Sequence, residues 1–492
     1  MPATKATSAC TAFWPARVSS RDRVVGCVRS LADTCRRTHW ADAAETCSAG
    51  PFCLSTCRPE EASMHRLLIP SHPTIAAPAL LLSTLVLVSA CGAPPSEPVA
   101  PSTDAIAYEG ARLIIGDGQV IENGTLLVEQ DRLVAVGASD AVEVPAGAAR
   151  VDLSGRTVMP AIIDTHVHLR ETRDERVEDL QRKAYYGVGV VLSLGRGVSE
   201  MAFQLRDEIL PNAARYRTVG RGITAPEPGR TEVPSWITTE EEARAAVQAL
   251  VPQNVDMVKI WVDDRGGQFD KLSPELYSAV IDEAHQNGLR VTAHVYTLED
   301  AKGLLRAGLD AFAHGIRDMD VDDEVVELFK ARPEVVLVPN LPGTGVAVDL
   351  SWLSGTIPSD QLEQMQERSV DRPAAQEAFG IQARNLARLS AEGVTIAFGT
   401  DGGAGWSPHA EMEDMVLAGM STADVLVAAT GNSAEMLALD DLGTLATGKS
   451  ADFVVLEANP LDDITNTRRI SDVYLRGEAV DRAGLSATWV GP

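Results

Sequence analysis

Six side chains able to bind a metal ion or move a proton stand at the ends of, or within, apolar runs that lie far apart in the chain. The first run is Val158-Met159-Pro160-Ala161-Ile162-Ile163-Asp164-Thr165-His166-Val167-His168. Side chains alternate along a strand, so His166 and His168 leave the same face about 7 Å apart. Two imidazoles facing one way can hold a metal. His294 closes Arg290-Val291-Thr292-Ala293-His294, and His314 closes Asp310-Ala311-Phe312-Ala313-His314. Asp401 closes Val394-Thr395-Ile396-Ala397-Phe398-Gly399-Thr400-Asp401. Four of the six histidines after residue 160 thus fall at strand ends, which chance placement explains poorly. Of the other two, His285 lies in the last turn of a predicted helix, where a cation complements the dipole. His409 follows Asp401 in a loop, where substrate contact and a surface role are equally open.

Lys259 is the sharpest member of the set. It sits in Val255-Asp256-Met257-Val258-Lys259-Ile260-Trp261. A charged lysine inside an apolar strand costs several kcal/mol to bury unless it is paired. Burial lowers its pKa and gives a free amine. A free amine can add carbon dioxide and become a carbamate, an anionic oxygen ligand able to bridge two metal ions. Pairing with a buried carboxylate is the competing account, and the four histidines and the aspartate weigh against it.

The elements that would position these groups are legible as alternating strands and helices. Apolar runs at 188–194, 255–261, 289–294, 311–314, 335–339 and 394–400 suit a parallel sheet buried on both faces. Thr239-Glu240-Glu241-Glu242 is a capping box before a helical apolar pattern. Ser273-Pro274 opens a second helix, and Gly288 follows its end. The expected fold is α/β, a (β/α)8 TIM-like barrel over 158–441, whose active site lies at the C-terminal ends of the strands. Residues 341–392 form a longer connection, helical around 376–389, with the place of a lid. Short β-runs at 105–157 and again at 442–485 predict a small composite β-sandwich domain made by both chain ends.

All seven cysteines lie at or before Cys91. The body of the chain therefore uses neither disulfides nor thiols, and a metal there must bind through His, Asp, Glu or modified Lys. Net charge is −26, which argues against a nucleic-acid partner. Met64-His65-Arg66 makes a basic start, an apolar stretch runs over 74–90, and Val88-Ser89-Ala90-Cys91 follows. This segment, 64–91, resembles a bacterial lipoprotein signal with Cys91 as the lipidated residue, and it is short for a spanning helix. It implies an exported protein anchored by lipid on the periplasmic or cell-surface face of the membrane. Residues 1–63 are then an extension ahead of the true start at Met64, or else a small six-cysteine domain. Residues 92–104, rich in Pro and Ser, read as a tether.

The set as a whole resembles the amidohydrolase superfamily. The matching pieces are His166-x-His168, Lys259 on the fourth strand, His294 and His314 on the fifth and sixth, Gly399-Thr400-Asp401 on the eighth, and Gly443-Thr444-Leu445-x-x-Gly448-Lys449-x-Ala451-Asp452 in the terminal β-segment. The branch is similar to imidazolonepropionase-related and Xaa-Pro dipeptidase-like hydrolases. The resemblance implies two divalent ions, zinc in the first place. His166, His168 and Asp401 would hold the buried ion, His294 and His314 the exposed one, and carboxylated Lys259 would bridge. It also implies a homo-oligomer.

A metal-bridging hydroxide would attack the carbonyl of a small substrate, and Asp401 would carry its proton to the leaving amine. Arg196, Tyr296, Arg317, Asn340 and His409 are the candidates to meet that substrate, with an arginine clamping a carboxylate. A dipeptide or N-acyl amino acid is the expected substrate. A cyclic amidase, a lactonase, a deaminase or a catalytically silent binding protein are the alternatives. Tyr296 stands where many relatives have a histidine, and Asp263-Asp264-Arg265-Gly266-Gly267 is an unfamiliar sequence at this point of the fold.

Overall fold

Pro160 has no N–H to donate to a ladder, and the run read as one strand divides beside it into Thr157–Pro160 and Ile162–Val167. The computed structural model describes residues 104–490. The expected extension 1–63, the signal 64–91 with Cys91, and all but the last residue of the tether lie outside the described residues. Among the described residues no helix is long and apolar enough to cross a membrane.

Thr157–Pro160 joins a sheet built from both chain ends. It runs parallel to Ile106–Ile114 and antiparallel to Phe453–Leu456, with Val158 opposite Val455. Val120–Glu129, Arg132–Ala138, Ala149–Asp152, Ile470–Leu475 and Glu478–Ala479 complete eight strands. All pair into one mixed sheet; a division into two facing sheets is not seen in the pairing. Tyr108, Phe453 and Tyr474 stack and pack edge-on at its centre, with ring centroids 4.6–5.2 Å apart, over Leu113, Leu126 and Val158.

Ile162–Val167 opens a set of eight parallel strands. The others are Val188–Ser193, Arg215–Thr218, Val258–Val262, Val291–Val295, Ala311–Phe312, Val336–Leu337 and Thr395–Ile396. Helices follow in alternation, among them Arg173–Tyr185, Glu240–Leu250, Pro274–Gln286, Leu298–Ala307 and Asp323–Lys330. The Thr239/Glu242 capping box is formed as the sequence indicates. The long connection carries two helices, Ser359–Arg368 and Pro373–Ala391.

The fold is α/β and TIM-barrel-like, with its strands in two sheets rather than one continuous ladder. The first three strands form one sheet, and the last five form the other with two short added strands. A few backbone hydrogen bonds cross the seams. Thr165 N–H donates to Phe398 O at 2.9 Å, Asp401 N–H to His166 O at 2.8 Å, and Asp256 N–H to Thr218 O at 3.4 Å.

The third strand was not legible as an apolar run. Its sequence is Arg-Tyr-Arg-Thr. The two arginines leave the same face and are held by acids: Arg215 by Asp452 (Nη2 to Oδ2, 3.1 Å) and Arg217 by Asp256 (Nε to Oδ1, 2.7 Å).

Candidate metal centre

The first and eighth strands bring His166, His168 and Asp401 together through backbone geometry. Asp401 adopts a left-handed backbone (φ 52°), a conformation that aspartate tolerates better than most residues. Its N–H is fixed on His166 O. A Cβ on Gly399 would lie 2.9 Å from His166 Cβ and 3.0 Å from Asn340 Nδ2, so glycine there lets the eighth strand close on the first. His166 Nε2 lies 3.2 Å and His168 Nε2 3.0 Å from Asp401 Oδ1, and His314 Nε2 lies 3.8 Å from Oδ2. Donor atoms of His166, His314 and Asp401 all fall within 4.8 Å of one another.

Register sets the depth of the remaining groups. Lys259 pairs with Thr292 and Trp261 with His294, so Lys259 lies one inward-facing layer below His294. Lys259 is fully buried, and its Nζ has no hydrogen-bond partner. Burial brings its pKa down to about 7. The His294 and His314 rings are 4.6 Å apart between centroids, and those of His166 and His314 4.9 Å. Burial lowers His166 to about 3 and His294 to about 4, and drops His314 well below its ordinary value. All three are therefore neutral at pH 7, the form in which imidazole binds metal. For Asp401, burial alone would raise the pKa, but the His166 and His168 imidazoles outweigh it and keep the carboxyl below its usual range.

Hydrogen bonds choose the free nitrogen of one ring. His166 Nδ1 faces two acceptors, Asn340 Oδ1 at 3.0 Å and Ala313 O at 3.2 Å. The proton therefore sits on Nδ1 and the lone pair on Nε2, toward Asp401. Neutral imidazoles, one carboxylate and a buried, unpartnered amine suit a divalent ion with nitrogen and oxygen ligands. The orphaned Lys259 Nζ and His314 Nδ1 are polar atoms that a bound group would satisfy.

The substrate candidates divide. Arg317 turns inward, its Nε buried and without a hydrogen-bond partner, and burial lowers its pKa against the opposing pull of Asp401, Asp263 and Tyr296. Tyr296 is 44% exposed at the rim. Arg196 lines a cavity of about 270 Å³ with His168, Trp261 and Arg265. Asn340 carries His166 on its Oδ1, so it orients a candidate ligand, and its Nδ2 has no hydrogen-bond partner. One expectation needs correction. His409 is fully buried, not in a surface loop: Nδ1 meets Thr467 Oγ1 at 3.0 Å, and Nε2 meets Tyr186 O at 3.1 Å. Both ring nitrogens are used inside the fold. His285, bonded to Asp310 at 2.9 Å near the end of its helix, has the structural role expected of it.

Sequence reasoning passed over a buried ion pair under the site. Lys183 Nζ donates to Asp164 Oδ2 at 2.8 Å, and both side chains are fully buried. Asp164 also accepts from Thr400 N at 3.0 Å and Thr400 Oγ1 at 2.8 Å. The pair ties the first strand to the loop that carries Asp401. Removing one partner of such a pair costs about 3–5 kcal/mol, so Lys183→Met is expected to lower the melting temperature markedly. A melting curve within a degree of wild type would show the pair to be dispensable.

Comparison with known proteins follows the same lines. The model of the amidohydrolase family matches residues 157–480. Imidazolonepropionase of Geobacillus thermodenitrificans is 24% identical over 386 residues, covering 70% of this chain and 86% of that one. Ochratoxinase of Aspergillus niger is 25% identical over 458 residues, 79% of this chain and 89% of that one. Among solved structures, a Bifidobacterium longum protein provisionally assigned as a prolidase is 29% identical. It superposes with a TM-score of 0.64, covering 79% of this chain and 98% of the other.

Proposed function

The chain belongs to the amidohydrolase family, and on that premise we propose that it cleaves the amide bond of a small, carboxylate-bearing substrate such as a dipeptide or an N-acyl amino acid. That it is a hydrolase acting on carbon–nitrogen bonds follows from the family and its relatives. The observation that carries the finer reading is Arg317. A guanidinium whose Nε is buried without a partner beside the candidate centre is costly, and a substrate carboxylate offers it a bidentate acceptor.

His166, His168, His294, His314, Asp401 and carboxylated Lys259 would hold two divalent ions, zinc in our reading. Bound there, the ions supply an acidified water and polarise the carbonyl. The residues do the rest. Asn340 holds His166 in one tautomer. Asp401 accepts the proton of the attacking water on its carboxylate and returns it to the departing nitrogen. Arg317 fixes the carboxylate, and the Arg196–Trp261 cavity receives the adjoining half of the substrate. Deamination at a single ion is the less favoured reading, because a buried amine at Lys259 would then have no task. Export and a lipid anchor at Cys91 belong to the same proposal, as does assembly with further copies. N-terminal analysis of the natural protein tests the anchor.

The test is a metal-supplemented screen of dipeptides, N-acyl amino acids, their carboxamides, lactones and cyclic imides. Metal-dependent hydrolysis favouring the free carboxylate is expected. Arg317→Ala should lower kcat/KM for the carboxylate substrate about 10–100-fold, the worth of a charge-assisted hydrogen bond, and leave the carboxamide nearly unchanged. Preference for lactones or cyclic imides, or an equal loss on both amides, would contradict this assignment.

A further inference from the structure

The unfamiliar segment after the fourth strand lies against a candidate ligand. Asp263 Oδ2 is 2.8 Å from His294 Nε2, and its Oδ1 accepts the Arg265 N–H at 2.8 Å. Arg265 has a left-handed backbone (φ 57°) and is followed by Gly266 and Gly267, also at positive φ. The loop thus turns back on itself and aims the Arg265 side chain at the same atoms. Its Nη1 reaches Asp263 Oδ2 at 2.5 Å and His294 Nε2 at 3.1 Å, and its Nε reaches Glu227 Oε1 at 2.8 Å. Glu227 is itself buried, and its Oε2 meets Arg230 Nη1 at 2.5 Å. Charges alternate along the chain of contacts Arg230, Glu227, Arg265, Asp263, ending on an imidazole.

Two groups compete for His294 Nε2. Either the ring donates its N–H to Asp263, or it accepts from Arg265. The distances decide. A bare nitrogen 2.8 Å from a carboxylate oxygen would set lone pair against lone pair; His166 differs, because two acceptors claim its proton on Nδ1 and its Nε2 stands farther from Asp401, at 3.2 Å. The Arg265 Nη1 contact with the ring is longer than its contact with Asp263. The proton therefore sits on Nε2, and Nδ1 holds the only lone pair of the ring.

We propose that Asp263 is the positioning residue of His294: it accepts the Nε2–H, fixes the ring and its tautomer, and so presents Nδ1 as the metal donor, with Arg265 and Glu227 holding the carboxylate in place. Asp263 touches neither substrate nor reacting atoms in this account. The inference rests on the reading of His294 as a ligand. Outer-shell partners of metal-bound histidines are worth about 10–100-fold in metal affinity.

The full chain is stripped of metal and titrated with zinc against a chelating indicator, and melting of the metal-free protein is followed in parallel. Wild type is expected to take up two equivalents. Asp263→Ala should weaken one of the two by about 10–100-fold while the other is unmoved. Asp263→Asn, whose amide oxygen can still accept the Nε2–H, should recover most of the loss. Two results would overturn the proposal. One is both Asp263 variants binding two equivalents as tightly as wild type. The other is Arg265→Ala weakening a site while Asp263→Ala does not, which would place the proton on Nδ1. If the Asp263→Ala metal-free form melts far below wild type, Asp263→Asn and Arg265→Ala carry the decision: neither should cost more than a few-fold at either site, and a loss of about 10–100-fold at one site in Arg265→Ala alone overturns the proposal. Failure of wild type to bind a second ion would instead sink the ligand reading itself, before any variant is compared.

Discussion

Asp401→Asn is expected to lower kcat by about 10²–10⁴-fold, the usual worth of a positioned proton carrier, in protein that still binds metal when metal is supplied in excess. The substitution is well matched to the site. Asparagine tolerates the left-handed backbone that Asp401 adopts, as aspartate does, so the loop need not move. The amide oxygen can still face His166 and His168, whose Nε2 atoms lie 3.2 and 3.0 Å from Oδ1. What the amide cannot do is take up a proton from water and release it to an amine. Melting of the metal-free variant close to wild type, with metal retained and turnover lost, is the expected pattern. Turnover near wild type with metal bound would show that Asp401 acts as a ligand alone.

The second large effect is expected at Lys259, and its sign on stability is opposite to its sign on activity. Lys259→Met should abolish measurable turnover and the uptake of a second ion, because the variant has lost the nitrogen that would carry the carbamate. The metal-free variant should nevertheless melt above wild type at pH 7 and below. In the fold the amine titrates near 7, against 10.5 when exposed. The unfolded chain therefore binds a proton that the folded chain refuses throughout that window, and wild-type stability rises with pH across it. The advantage of methionine should shrink as pH climbs from about 7 toward 10.5. Lys183→Met is the internal control. Its partner Asp164 is buried with it, so the same substitution should there destabilise. If Lys259→Met lowered the metal-free melting temperature as Lys183→Met does, Lys259 would be a structural cation.

The contrast between these two lysines shows what the sequence carries and what it does not. Lys259 stands inside an apolar strand, so a burial cost was visible from its neighbours alone. Lys183 sits on the helix Arg173–Tyr185 among charged residues, and nothing local reveals that it faces Asp164 across the fold. The strand-end histidines and Asp401 were legible because apolar runs mark where strands stop. The third parallel strand was hidden because its arginines find acids only in the tertiary structure. His409 was misplaced, and the bond of Asn340 to His166 missed, for a related reason. A polar residue after a strand can face substrate or hold a neighbour, and only the partner decides. Asp263 and Arg265 could be seen as unusual, but their contact with His294 depends on the left-handed turn at Arg265.

Counting metal ions in the purified full chain tests the central claim most directly. Elemental analysis of protein grown with zinc, checked by reconstitution of the stripped protein with zinc and bicarbonate, should give about two ions per chain in wild type and fewer than two in Lys259→Met. One ion per chain, unchanged by loss of Lys259, would contradict the gathering of six side chains around a bridged pair.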